Sequence, residues 1–303
     1  MSLLEDFAAD CRTRGMTELS IVTYLRTVRR FKAFLEAKGQ DVLLADRLTI
    51  RDYIDERRKG GNTTKTIGTQ LAAISALYEW LIFEGLTDKN PVAAVRRRYM
   101  QRYKSDGEAH THKIISIEEA ASLVEALVDI RDKTMVLLLF KTGIRRGELV
   151  SLDVDSISWE DQSILLKNTR KRSNRLVFFD DEAAHYLRRW LAVREGRDGN
   201  QEKALFLSTH GSRLGRVGLS YAIHAAAIRT GLHDASSDRM EDHFSPHCCR
   251  HWFTTHLRRA GMPREFIQEL RGDARREAID IYDHIDREEL RKSYLAHVPQ
   301  LGV

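Results

Sequence analysis

Apolar residues recur every three or four positions through most of this 303-residue chain, and only four prolines interrupt them. Long amphipathic helices are therefore the element it can most readily form. Leu3, Leu4, Phe7 and Cys11 predict a first helix, and Ile21, Tyr24, Leu25, Val28, Phe31 and Leu35 predict a second that Gly39 stops. Thr49 is placed to cap a third, carrying Ile50, Tyr53 and Ile54. Ile67, Leu71, Ile74, Leu77, Tyr78 and Leu81 mark a fourth that ends before Pro91. Residues 1–95 thus read as an all-helical bundle. Because ordinary domains run about 100–200 residues, a second domain is expected after it.

Residues 96–113 open with Arg96, Arg97 and Arg98 and continue with basic residues interleaved with Tyr99 and Tyr103, which reads as a basic interdomain linker. A solvated tether and direct contact with a phosphate backbone both fit that composition. Beyond it, helical spacing returns at Ile117 to Leu127 and at Met135 to Phe140. The pattern then changes to paired short strands, Ser163 to Leu166 and Leu176 to Phe179, with Lys167 to Arg175 as the hairpin loop, before helices resume around Leu187, Trp190 and Leu191. Residues 114–303 are expected to form a mainly helical domain around a small antiparallel β-sheet. At its end, Leu290, Tyr294, Leu295 and Val298 make an apolar stripe suited either to a neighbouring protomer or to the chain's own core.

The 49 Lys and Arg against 44 Asp and Glu leave a formal charge of +5, a mild excess that permits a polyanionic partner without demanding one. No apolar run approaches the roughly 18 residues of a membrane span, so no membrane partner is expected. The first residues lack the basic and apolar pattern of a secretory signal, which predicts a cytoplasmic protein. Cys11, Cys248 and Cys249 are sparse and odd in number and predict reduced thiols.

Three segments carry the chemistry. In Thr142-Gly143-Ile144-Arg145-Arg146-Gly147-Glu148-Leu149, Gly143 permits a tight turn presenting Arg145 at the end of a buried helix, although an Arg near a Gly is more often a plain surface residue. In Ser245-Pro246-His247-Cys248-Cys249-Arg250-His251, Ser245 suits an N-cap and Pro246 the first helical position. His247 and Arg250 would then share one face of a first turn, beside backbone N–H groups that attract an anion. The same segment offers potential zinc ligands in His247, Cys248, Cys249, His251 and His256. Adjacent cysteines point apart on a helix, however, and no second C-x-x-C cluster accompanies them, so no metal is expected. In the third segment Gly272 looks like a helix stop after Arg271 and precedes Asp273. Tyr282 follows at a spacing that, alone, fits a core aromatic.

Together these segments resemble the tyrosine recombinase (phage integrase) family, over residue 114 to the C-terminus. The family's T-G-x-R-x-x-E-L motif matches Arg145 and Glu148, its H-x-x-R-H motif matches His247, Arg250 and His251, and its I-Y-x-H motif matches Ile281, Tyr282 and His284. The resemblance implies two domains, a helical core-binding (SAM-like) bundle and a catalytic domain of the DNA breaking-rejoining fold. It also implies a site-specific recombinase acting on a double-stranded DNA recombination site, as a tetramer on DNA, without cofactor. Accessory proteins are among the partners it allows, and the absence of an extra arm-binding module leans towards the simpler Xer type. Two rivals stand beside it. A type IB topoisomerase would relax supercoils without a preferred site, and a catalytically idle DNA-binding regulator would bind without nicking.

By that resemblance Tyr282 is the nucleophile that forms a 3′-phosphotyrosyl bond, Arg145 and Arg250 clamp the scissile phosphate, and His247 orients it or exchanges a proton. Glu148 supports an arginine or its helix. Lys171 protonates the leaving 5′-oxygen. An ungapped match puts Arg170 at that place, but only an ammonium releases a proton near neutral pH. Arg170 and Arg172 would join Arg96, Arg97 and Arg98 in contacting DNA. Asp273 departs from the pattern, since the family usually has His or Trp nine residues before the tyrosine; an Asp accepts hydrogen bonds but is no imidazole donor.

Overall fold

The computed structural model describes residues 3–100, 114–167, 175–196, 202–237, 239–273 and 285–303. The chain divides into two compact units, Met1–Glu108 and Ala109–Val303. The predominance of helix with one small antiparallel sheet matches the sequence expectation. Among the described residues no helix is long and apolar enough to cross a membrane.

The first unit contains α1 (Leu3–Thr13), α2 (Glu18–Ala37), α3 (Arg47–Lys59), α4 (Thr64–Phe83) and α5 (Pro91–Tyr99). Its core is aromatic: Tyr53 meets Phe31 and Phe34 edge-on at 5.3 and 5.2 Å, and Phe7 packs on Trp80 at 5.6 Å. Each such buried ring contributes about 1.5–3 kcal/mol. Their polar tips are satisfied, Tyr53 donating to Gln70 (3.0 Å) and Tyr78 to the Val42 carbonyl (2.7 Å).

Two expectations for this unit need correction. Asp46, not Thr49, caps α3; its carboxylate accepts from the Thr49 N–H at 2.9 Å, and Thr49 reciprocates from the third helical position. Arg96, Arg97 and Arg98 are not linker but the exposed last turn of α5. Asn90 caps that helix, Pro91 occupies its first position, and Pro91, Val92 and Val95 bury its inner face, so helix continues where charge alone suggested a tether. Cations there also complement the negative end of the helix dipole.

The second unit is built around α7 (Ile130–Thr142), whose residues from Thr134 to Thr142 are all buried. A helix enclosed on every side leaves its neighbours to supply the polar faces. Around it lie α6 (Ile117–Glu125), α8 (Arg146–Val150), α9 (Asp181–Glu195), α10 (Arg216–Arg229), α11 (Pro246–Arg259), α12 (Arg264–Arg271) and α13 (Arg287–His297). The strands β1 (Ile157–Ser158), β2 (Ser163–Leu166) and β3 (Arg175–Phe178) pair antiparallel in that order. Arg175 opens β3, opposite Leu166, rather than ending the loop before it. The hairpin loop itself, with Lys171, lies outside the described residues.

Lys141 sits fully buried on α7. Its ammonium meets Asp180 at 2.6 Å, Glu182 at 2.5 Å and the Pro299 carbonyl at 2.7 Å. Glu182 in turn accepts from the backbone N–H groups of Leu301 (3.1 Å) and Val303 (2.9 Å). Burial alone would raise the Glu182 carboxyl; the Lys141, Val303 and Leu301 hydrogen bonds outweigh it and hold it below the usual range. The apolar stripe of α13 therefore belongs mostly to its own unit: Leu290, Tyr294, Val298 and Leu301 join the core, while Leu295 is 38% exposed. Replacing Lys141→Met strands two carboxylates in that interior and is expected to cost about 3–5 kcal/mol, read as a lower urea midpoint. In the native chain the depressed Glu182 carboxyl stabilises fully above its unfolded value and progressively less as pH falls through the folded one. Acid should therefore loosen residues 299–303 first, as seen by amide exchange.

Candidate active site

The buried helix α7 ends at Gly143, which adopts a left-handed turn (φ +60°). A β-carbon there would lie 2.2 Å from Cδ1 of Phe253 on α11, so only glycine allows the two elements to approach this closely. Two residues later Arg145 becomes the N-cap of α8. Its backbone N–H donates to Glu148 Oε2 at 2.7 Å, which fixes where its side chain starts. The Arg145 guanidinium reaches the Arg271 carbonyl at 3.4 Å, Glu148 Oε1 at 3.5 Å and Asp273 Oδ1 at 3.7 Å, and remains about a third exposed.

Helix α11 starts as its sequence predicts, with Ser245 before it and Pro246 at its first position; the Ser245 N–H points at the Cys248 sulfur at 3.3 Å. From its second turn Arg250 runs inward. The guanidinium donates to the Gly143 carbonyl (2.6 Å), the Arg271 carbonyl (2.8 Å) and Asp273 Oδ1 (3.3 Å), with only 4% of the side chain exposed. Burial, reinforced by the nearby Arg271 charge and opposed by Asp273, lowers Arg250 to about 10, so it is still a cation at neutral pH. His247 is exposed on the first turn, its ring perpendicular to that of His251 at 4.5 Å between centroids.

Helix α12 closes the arrangement. Gly272 ends it in a left-handed turn (φ +58°), leaving the carbonyls of Leu270 and Arg271 without helical partners. The Arg271 carbonyl takes both Arg145 and Arg250. Asp273 acts here as an acceptor, with Oδ1 towards Arg250 and Arg145 and Oδ2 3.0 Å from Arg271. Arg145 with Glu148, Arg250 and Asp273, from three separate segments of the sequence, are thus brought into one cluster.

Arg175 completes that cluster, and sequence reasoning missed it. Its guanidinium engages both oxygens of Glu148 at 3.0 Å each, and its Nε donates to the Leu270 carbonyl at 3.2 Å. A β-carbon on Gly272 would lie 2.7 Å from the same guanidinium, so the turn and the arginine fit each other. One signal was present. Arg175 stands two residues before Val177, on the inward side of a strand, and an inward Arg requires a carboxylate.

Tyr282, Lys171, Arg170 and Arg172 lie outside the described residues. Arg96, Arg97 and Arg98 belong to the first unit. Among the described residues no group of three or more His, Cys, Asp or Glu side chains is arranged to hold a metal ion. Cys248 and Cys249 are buried, and burial pushes the Cys249 thiol well above its ordinary value.

Comparison with known proteins bears on what such a cluster serves. The profile of the phage integrase family matches residues 113–289, and that of the phage integrase N-terminal SAM-like domain matches residues 4–85. The chain is 26% identical to the tyrosine recombinase XerD of Oceanobacillus iheyensis over 98% of both chains. It is 27% identical to the tyrosine recombinase XerC of Chromobacterium violaceum over 92% of this chain and 89% of that one. Among solved structures, a lambda integrase tetramer bound to a Holliday junction superposes with a TM-score of 0.71 at 16% identity, covering 94% of this chain and 78% of that one. The Tn1549 transposon integrase in complex with circular intermediate DNA gives 0.68 at 19% identity, covering 96% and 98%.

The fit between Gly272 and Arg175 can be tested on its own. Gly272→Ala adds left-handed strain and displaces the guanidinium; unfolding free energy should fall by about 1–3 kcal/mol in urea titrations.

Proposed function

This chain belongs to the phage integrase family of tyrosine recombinases, and from that membership we infer that it is a site-specific recombinase whose strand cleavage runs through Tyr282. The observation that carries the reading is the pair of guanidinium groups, Arg145 and Arg250, held side by side on the Arg271 carbonyl. A phosphodiester is anionic, and a nucleophile attacking it builds further charge on the non-bridging oxygens. Fixed cations lower that barrier without reorganising. Arg250 is immobilised by buried carbonyls, whereas Arg145 keeps exposed surface towards an incoming phosphate.

In this mechanism the Tyr282 phenol attacks the phosphorus in line, losing its proton, while the bond to the 5′-oxygen breaks. A 3′-phosphotyrosyl link and a 5′-hydroxyl result. The phosphoester is conserved rather than hydrolysed, so the hydroxyl of another strand can reverse the step without a high-energy cofactor. His247, exposed on the first turn of α11, orients the phosphate or accepts the phenol proton. Lys171 supplies the proton for the departing oxygen. Asp273, an acceptor bound to both arginines, positions them instead of donating to the phosphate.

The partner is a double-stranded recombination site, engaged by a homo-oligomer of four protomers, the number in the lambda integrase tetramer bound to a Holliday junction. The exposed ends of α3 and α5, with Arg58, Lys59, Arg96, Arg97 and Arg98, give the first unit a basic edge for backbone contacts that salt weakens. A chain acting on such DNA works in the cytoplasm.

Covalent complexes trapped in cells and stripped of free DNA should yield one recurrent sequence for the wild type. Tyr282→Phe should still bind that sequence but form no adduct; an adduct surviving the change would overturn the assignment. Arg250→Ala should slow cleavage on the order of 100–1000-fold and weaken binding far less, by single-turnover rates and titration.

A further inference from the structure

We propose that Arg175 is a positioning residue for strand cleavage: by occupying both oxygens of Glu148, it withholds that carboxylate from Arg145 and leaves Arg145 for the phosphate. The proposal rests on the recombinase reading above and adds a residue to it.

Glu148 follows Arg145 by three positions on the short helix α8, the spacing at which opposite charges on a helix close into a pair. Such closure would neutralise the cation meant for DNA. The geometry shows the competition going the other way. Arg175 holds Glu148 with two parallel contacts of 3.0 Å, while the Arg145 guanidinium stands at 3.5 Å from Oε1. A two-pronged charge-assisted pair is both stronger and more rigid than one long contact. The exposures agree: 7% for the Arg175 side chain against 34% for that of Arg145.

Arg175 can win because it is fixed from other directions. Its backbone is paired in β3 opposite Leu166, its Nε is spent on the Leu270 carbonyl, and the turn at Gly272 leaves it room. Glu148 thereby acts mainly as a support that receives the backbone N–H of Arg145, while the Arg145 guanidinium keeps only long contacts with carboxylates, 3.5 Å to Glu148 Oε1 and 3.7 Å to Asp273 Oδ1.

The test uses the full chain and a nicked duplex bearing the sequence recovered from wild-type covalent complexes. Arg175→Met should bind this duplex almost as the wild type does, yet cleave it on the order of 100-fold more slowly at saturating DNA, the scale expected of a misplaced reacting group. Arg175→Lys, which can hold only one oxygen at a time, should recover part of the rate. The distinguishing measurement is the double variant Glu148→Gln/Arg175→Met. A neutral amide no longer captures Arg145, so it should cleave faster than Arg175→Met alone, with the folded fraction of each checked by thermal melting.

Should Arg175→Met fail to fold, the comparison of Arg175→Lys with Glu148→Gln/Arg175→Lys decides the matter in the same way. A folded single variant that cleaves at the wild-type rate, or a double variant no faster than its single, overturns the proposal and leaves Arg175 a structural strut. A wild-type chain that forms no adduct with any DNA overturns the recombinase reading itself, and this proposal with it.

Discussion

Three arginines from distant parts of the chain converge on the carboxyl end of one eight-residue helix. Leu270 and Arg271 close α12, and their carbonyl oxygens accept from Arg175, Arg145 and Arg250. The last carbonyls of any helix lack internal partners and carry the negative end of its dipole, so guanidinium groups are natural occupants. Everything else in the cluster follows from that convergence. Gly272 must turn left-handed to end the helix cleanly, Gly143 must lack a side chain so that α11 can approach, and Glu148 and Asp273 must balance like charges packed together. Burial first, and then the neighbouring charges of Arg271 and Arg175, lower Arg250 against the opposing pull of Asp273 and Glu148.

On the recombinase reading, the two arginines proposed to clamp the phosphate start from positions fixed by these carbonyls. Backbone carbonyls are placed by secondary structure rather than by the rotamer of a side chain. An arginine held by such acceptors is pre-oriented before any substrate arrives, which is where electrostatic stabilisation of a transition state gains most of its strength. Arg145 is less tightly held than Arg250, and the difference divides the labour between a buried anchor and a more exposed arm.

Much of this was readable from sequence. The first four helices and the paired strands followed from periodicity, and Arg145, Glu148 and Arg250, which the cluster brings together, from the motif resemblance. What escaped has a common physical cause. Arg175 was assigned to a loop because a charged residue at a strand edge reads locally as solvent-facing; its partner Glu148 lies 27 positions away. Arg96 to Arg98 read as linker in the sequence because three cations in a row hide the short apolar face of α5, which Val92 and Val95 supply one turn earlier. Asp46 was passed over because Thr49 is also a good cap, and the two turned out to be partners in one reciprocal pair. Asp273 was a departure from a pattern with no assigned duty, and its place between two guanidinium groups became apparent only in three dimensions.

The enclosure of Lys141 bears on how the chain comes into being. Its ammonium is satisfied in part by Pro299, and the core around α7 includes Tyr294, Val298 and Leu301. A ribosome delivers those residues well after α7 itself. The bundle of residues 3–100 has a core of its own and can close while synthesis continues, as domains generally do. The unit that holds the arginines must wait, with a long apolar helix uncovered and one unmatched cation in its midst, until residues 290–301 have been made.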